Sequence, residues 1–503
     1  MKIVFVLLDS LNRNAMEPYG SKLVHTESFT RFQERAVTFD NHYVGSLPCM
    51  PARRDLHTGR SHFLHRSWGP LEPFDDSFPE LMKQEGMYTH LITDHHHYFA
   101  DGGATYHQRY SSWELVRGQA IDRWKALVEP NLDELKSSYH SVQHHRTNYM
   151  INRQFMAEEK DFCAPQLFRL ADEFLKYNHN SENWLLQLEC FDPHEPFHAP
   201  SRFRERYKTQ YKGPVLDWPI YDRVTETPEE IAELRANYSA LVTMTDEYFG
   251  RLLDLFDKYD LWSDTALVLT TDHGFLLGEH DWWAKNRMPV YDEISHIPLM
   301  IYHPDFIQKG GGRINALTQT TDIMPTLLDM AGINIPKDVT GYSLMPLLRG
   351  QKNNRDSVIF GYYGAAVNIS DGRYSYFHYP TALGAEHLYE YTLMPTRMTT
   401  RFSIRDLVGA TLFPSFAFTK GVPILRLKPK TDKNDEPVEV QGMNFADLQS
   451  QLFDLLEDPT QINPLDKPNI VLDLQEKIIQ NMIRLDAPKE SYDRFGFEIP
   501  LGL

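Results

Sequence analysis

Four apolar stretches of this chain each run into acids or imidazoles. Residues 3–8 lead to Asp9, and residues 90–93 lead to Asp94 and the triplet His95-His96-His97. Residues 184–188 are followed by Asp192 and His194, and residues 266–270 by Asp272 and His273. Carboxylates and imidazoles bind metals and carry protons, so these residue types on one edge would make a metal or catalytic centre. Each member also has a plainer explanation. Asp9 could cap a helix, Asp272-His273-Gly274 could form a turn, and His194 or the triplet could lie in solvated loops. Four independent strand ends carrying ligand-type side chains shift the balance toward chemistry. Hard oxygen donors from Asp9 and Asp272 suit Ca²⁺ or Mg²⁺ better than Zn²⁺, and Mn²⁺ is also compatible.

The elements that must position these residues can be read from the hydrophobic pattern. The four stretches, with residues 298–302, are continuous rather than alternating, as in buried parallel strands. Helical spacing appears over residues 78–86, with Gly86 as a stop, and over residues 228–259, where Ile231, Leu234, Tyr238, Leu241, Phe249, Leu252 and Phe256 recur. Strands alternating with helices predict an α/β domain with a large, mainly parallel sheet sandwiched by helices. Sites on such sheets form beyond the carboxyl ends of the strands, where the acids and imidazoles fall. Residues 106–180 are rich in Tyr, Trp and His and weakly periodic, which predicts an insertion. After residue 353 the pattern changes to short strands (358–363 and 373–378, with Asp371-Gly372 as a hairpin signal) and a closing helix at 471–485. The expected organisation is a catalytic domain over 1–353 and a smaller α+β domain over 354–503.

Bulk properties bound the function. A chain of 503 residues with 42% hydrophobic and 24% charged residues can bury a substantial core. The net charge of −18 argues against nucleic acid as a partner. Three scattered cysteines, Cys49, Cys163 and Cys190, do not make a disulfide framework. No run reaches the ~20 apolar residues that span a bilayer, and the start lacks a signal-peptide cleavage site, so no membrane association and a cytoplasmic location are expected. A homo-oligomer is compatible with these properties.

The segment Leu47-Pro48-Cys49-Met50-Pro51-Ala52-Arg53 continues into Leu56-His57-Thr58-Gly59-Arg60. This Cys-x-Pro-x-Arg core followed by Leu-x-Thr-Gly-Arg resembles the sulfatase signature. The resemblance extends to Asp272-His273-Gly274 with Gly278-Glu279-His280, to Lys285, and to the Pro-His-x-Pro-Phe element at Pro193-His194-Glu195-Pro196-Phe197. Thr321-Asp322-Ile323-Met324-Pro325-Thr326 and Leu452-Phe453-Asp454-Leu455 are similar to further family elements. The resemblance implies an alkaline phosphatase-like fold and hydrolysis of a sulfate ester, the substrate being a small-molecule or carbohydrate sulfate. It implies that a maturation enzyme oxidises Cys49 to formylglycine, whose hydrate attacks sulfur. It also implies a divalent metal, Ca²⁺ foremost, held by Asp9, Asp272, His273 and the modified Cys49. Arg53 would orient that side chain, and His194 and Lys285 would contact the sulfate and assist the leaving oxygen.

Two positions depart from the family pattern. Ser10 stands where most relatives carry a second acid. The Lys-x-His pair common after the second of these strands is replaced by Asp94-His95-His96, with His96 as the candidate for the retained histidine and its register open by one residue. Two alternatives share the fold: a phosphonate monoester or phosphodiester hydrolase, and a non-catalytic sulfatase-like binding protein that keeps Cys49 unmodified.

Overall fold

The computed structural model describes residues 1–286, 289–306, 311–352, 355–380, 387–429 and 449–500. In chain order the first strands are β1 (Lys2–Leu8), β2 (Val37–Tyr43), β3 (Ser46–Leu47), β4 (Tyr88–Thr93), β5 (Ser112–Leu115), β6 (Trp184–Cys190) and β7 (Thr265–Thr271). The main sheet has eight strands in the order Gly312–Gln319, β2, Leu299–Tyr302, β7, β1, β6, β4, β5. β1 lies at its centre, parallel to β6 and β7. Every residue of β1 is buried, and successive side chains enter opposite cores. Val4, Val6 and Leu8 pack beneath Cys163–Asn178 and Pro228–Lys258, whereas Ile3, Phe5 and Leu7 meet Phe78–Gln84 and Ile323–Met330. Burial on both faces explains the uninterrupted apolar run.

The expected parallel arrangement fails at one strand. Leu299–Tyr302 is antiparallel to both neighbours, β7 and β2. The chain returns from β7 without a long crossover helix, and antiparallel pairing needs none. The Pro228–Lys258 helix matches its expected span. Thr227 and Glu230 form a capping box at its start, with Pro228 in the first turn.

The stretch 106–180 is not wholly an insertion. It supplies the edge strand β5, paired with β4, and the helix Cys163–Asn178, whose buried face joins the main core. Between these two, residues 116–162 carry only short helices.

A second sheet contains Gln451–Asp454, Tyr374–His378, Val367–Ser370, Val358–Tyr362 and β3. The Asp371-Gly372 turn joins two of these strands, with Gly372 at φ 89° where a side chain would be strained. Helix Pro468–Arg484 covers this sheet through Leu474, Ile478 and Met482. β3 pairs in parallel with Val358–Tyr362, so the segment ahead of Cys49 belongs to the second sheet. The expected boundary between residues 353 and 354 lies outside the described residues. Among the described residues, no helix is long and apolar enough to cross a membrane.

Candidate active site

Cys49 is the first residue of the helix Cys49–Thr58, which points from β3 into the carboxyl edge of the main sheet. Asp55 on this helix accepts from the Ser46 backbone N–H (2.6 Å) and hydroxyl (2.8 Å), locking the helix to the strand before it. Gly59 ends the helix at φ 65°, where a Cβ would lie 2.7 Å from Val339. Arg60 donates to the carbonyls of Asp338 and Leu485. The Thr-Gly-Arg end of the motif is therefore structural: it seats the helix, while Cys49 and Arg53 face the site.

Arg53 is the electrostatic centre. Its guanidinium reaches Asp9 (2.9 Å), Asp272 (2.6 Å) and Glu189 (2.5 Å), and it donates to the Cys49 carbonyl (3.1 Å). All four of these side chains are buried. A planar fork with five donors can serve three carboxylates and a carbonyl at once, one acceptor more than the three donors of a lysine could. Burial works to raise the Asp9 pKa, but Arg53, His194, Lys285 and His273 overcome it and hold the carboxyl well below its usual range. Glu189, which also accepts from the Tyr98 hydroxyl, moves the other way because burial dominates.

Around this centre stand the remaining members. His273 donates through Nδ1 to the Gly274 carbonyl (2.9 Å), which leaves the Nε2 lone pair facing Cys49 Sγ at 3.2 Å. Burial, then Asp9, push the Cys49 thiol up, so an unmodified cysteine stays protonated here. Lys285 is buried and donates to Ser10 Oγ (2.5 Å), with Asp9 at 3.8 Å and Glu195 at 4.0 Å. Burial opposes its charge, but the carboxylates of Glu195, Asp9 and Asp272 act to raise its pKa. Ser10 sits at φ 60°, donates to Asp9 (2.8 Å), and presents its backbone N–H to Asp272 (3.0 Å). The residue in place of a second acid thus links Lys285 to both site aspartates. His194 donates through Nδ1 to the Glu195 carbonyl (2.6 Å) and is pushed well down by burial and by Lys285.

The histidine triplet is less tightly engaged. His96 and His97 line a cleft of about 470 Å³ together with Phe99, Arg117, Asp122 and Arg123. Burial pushes His96 down to about 4, with Arg117 adding to the effect and Asp122 and Asp9 opposing it. His97 instead feels its neighbour His96 and then Arg53, Asp9 and Lys285. The histidine chosen from sequence and the one after it thus both stand at the cleft wall.

Asp94 and Asp192 meet behind the His194 loop. The Gln119 side-chain amide donates to both, at 3.1 and 2.8 Å, and Asp94 accepts from the Phe191 backbone N–H (2.6 Å). Burial pushes Asp192 up to about 7, and burial with the charge of Asp192 pushes Asp94 well up. The folded pair keeps a proton that the unfolded chain releases. Its contribution to stability is present below the ordinary carboxylate pKa and lost as pH rises toward 7. Asp192→Asn is expected to flatten this slope: between about pH 5 and about pH 8, the wild-type melting temperature should fall further than that of the variant. Equal slopes would show that the pair shares no proton.

Glu189, Tyr98, Glu195 and Ser10 were not picked out as site residues from sequence. Glu189 had a signal: a carboxylate in a wholly buried strand demands a cation, and Arg53 is that cation.

Ligand atoms of Asp9, Cys49, Asp272 and His273 all lie within 4.8 Å of one another. Two carboxylates, a correctly oriented imidazole and residue 49 form a donor set that fits a hard divalent ion. This is the arrangement of an anion-handling α/β enzyme: an acidic ligand cluster braced by buried cations at the carboxyl edge of the sheet. The sulfatase family model matches residues 2–333, and the chain belongs to the sulfatase family, which comprises sulfuric ester hydrolases. A second family model, N-sulphoglucosamine sulphohydrolase, C-terminal, matches residues 278–404. The chain is 25% identical over 423 residues to an N-acetylglucosamine-6-O-sulfatase of Bacteroides thetaiotaomicron, covering 72% of this chain and 74% of that one. It is 24% identical to a choline-sulfatase of Rhizobium meliloti, covering 79% and 81%. The phosphonate monoester hydrolase of Agrobacterium radiobacter superposes with a TM-score of 0.65 at 17% identity, over 96% of both chains. The fold is alkaline phosphatase-like.

Proposed function

We propose that this protein hydrolyses a sulfate ester to an alcohol and inorganic sulfate, with formylglycine made from Cys49 and one divalent metal, Ca²⁺ foremost. The observation that carries the reading is the convergence on Cys49, at a helix start, of His273, Asp9, Asp272 and the Arg53 fork in a family member. The metal would be held by Asp9, Asp272, His273 and residue 49; together with the formylglycine hydrate it supplies an oxygen nucleophile and charge neutralisation at the sulfuryl group. Arg53 orients residue 49 through the Cys49 carbonyl and balances the acid cluster. Lys285 and His194 face the transferring group, where fixed cations and donors act strongly because water is excluded. The polar cleft walled by His96 and His97 is suited to the alcohol portion, and a small-molecule or carbohydrate sulfate is the proposed substrate class.

Peptide mass analysis of active protein co-expressed with a maturation enzyme should find the aldehyde form at residue 49. Fully active protein carrying only unmodified Cys49 would overturn the mechanism. A parallel screen of sulfated sugars, aryl sulfates, choline sulfate and phosphonate esters should show turnover on a sulfate ester. Preference for a phosphonate ester would replace the substrate class and keep the site.

A further inference from the structure

The reaction scheme above leaves the buried carboxylate beside His194 and Lys285 without a task. Glu195 occupies the variable position of the Pro-His-x-Pro-Phe element and is 0% exposed. The Tyr221 hydroxyl donates to its Oε1, while Oε2 has no hydrogen-bond partner among the described residues. That oxygen lies 3.3 Å from His194 Nδ1 and 4.0 Å from Lys285 Nζ. Burying a carboxylate with an unengaged oxygen costs free energy, so a purely architectural role is poorly served by this side chain. The loop itself does not require it: His194 is fastened through the main-chain carbonyl of residue 195, which any amino acid supplies. What the side chain adds is negative charge behind the imidazole and beside the lysine. Burial raises the Glu195 pKa, while Lys285 and the Tyr221 hydrogen bond pull it back toward the ionised form.

We propose that Glu195 is a positioning residue for protonation of the leaving alcohol, acting through His194. Resting on the sulfatase reading, the step is as follows. The bond between sulfur and the alcohol oxygen breaks, and its electron pair stays on that oxygen. The oxygen takes the proton from Nε2 of His194, so an N–H bond breaks and an O–H bond forms, leaving neutral imidazole. Before the transfer, Glu195 stabilises the imidazolium from the Nδ1 side and fixes the ring with Nε2 on its opposite edge. Tyr221 in turn holds the carboxylate. Burial, Lys285 and His273 disfavour the imidazolium and Asp9 favours it; the Glu195 carboxylate places a further negative charge 3.3 Å from Nδ1.

The test compares leaving groups. A nitrophenyl sulfate departs without help from an acid, whereas an alkyl or sugar sulfate needs the proton. With formylglycine-bearing protein, Glu195→Gln should lower kcat on the alkyl ester about ten- to a hundredfold. The aryl ester should lose no more than a few-fold, with KM little changed on either. Tyr221→Phe should show the same pattern with smaller amplitude, and carries the test if Glu195→Gln does not fold. Equal losses on both esters would assign Glu195 to architecture and overturn the inference while leaving the sulfatase reading intact. Wild-type protein inert on every sulfate ester would overturn the reading and this inference with it.

Discussion

Asp272→Ala protein is expected to lose its divalent metal and at least about a thousandfold in turnover, since an ion acting as a Lewis acid contributes several kcal/mol at the transition state. The geometry explains why the loss is large. Asp272 gives one oxygen to Arg53 at 2.6 Å and the other to the backbone N–H groups of Ser10 and His273. Removing it takes away a ligand charge and also unfastens the two neighbours that aim Lys285 and the ligand imidazole. Asp272→Asn separates these effects, because it keeps the shape and removes the charge. Metal analysis of purified protein, with kinetics after chelation and re-addition of Ca²⁺, Mg²⁺ or Mn²⁺, provides the measurement. Full metal content and full rate in both variants would remove Asp272 from the ligand set.

The second large effect is expected at Lys285 and His194. Each alanine variant should lose on the order of a hundred- to a thousandfold in kcat, the usual cost of removing one preorganised donor. For Lys285 the loss should appear with every substrate, because it is assigned to the sulfuryl group common to all of them, whereas for His194 it should be steepest on alkyl and sugar esters, whose leaving oxygen needs its proton. A solvated surface lysine after Trp282-Trp283 would predict no change, but the Lys285 side chain is only 1% exposed. Burying an ammonium is expensive unless it is paired, and Asp9 at 3.8 Å and Glu195 at 4.0 Å provide that pairing. Lys285→Ala also leaves those carboxylates undercompensated, so melting temperatures must accompany the kinetics. A Lys285→Ala loss confined to one substrate would move that residue to the alcohol-binding side.

Much of this centre was legible because strand ends in a buried sheet leave few places for polar residues. Asp9, Asp94, Asp192 and Asp272 each follow an apolar run, and the sheet order brings β7, β1, β6 and β4 side by side. The Cys49 motif supplied the rest of the core. Three features were not legible. The antiparallel strand Leu299–Tyr302 is a continuous apolar run like the parallel strand β1, so composition carries no direction. β2 and Gly312–Gln319 escaped because their burial is uneven: the first half of Gly312–Gln319 alternates between intermediate and exposed positions, as at a sheet edge. The work of Ser10 depends on a left-handed backbone that turns its hydroxyl between Asp9 and Lys285, and spacing in one dimension does not encode that.

The pairing of β3 with Val358–Tyr362 bears on the order in which the chain is made. The strand just ahead of Cys49 finds its neighbour only after about 300 further residues have left the ribosome, which at ~5–20 residues per second is roughly 15–60 s. Until then the cysteine segment lacks its final edge partner. Afterwards the Cys49 side chain is sealed at 3% exposure. Any enzyme that must grasp residue 49 in extended form therefore works against a clock set by translation. Slowing synthesis downstream of the motif would lengthen that opportunity, and rapid overproduction would shorten it per molecule of modifying enzyme.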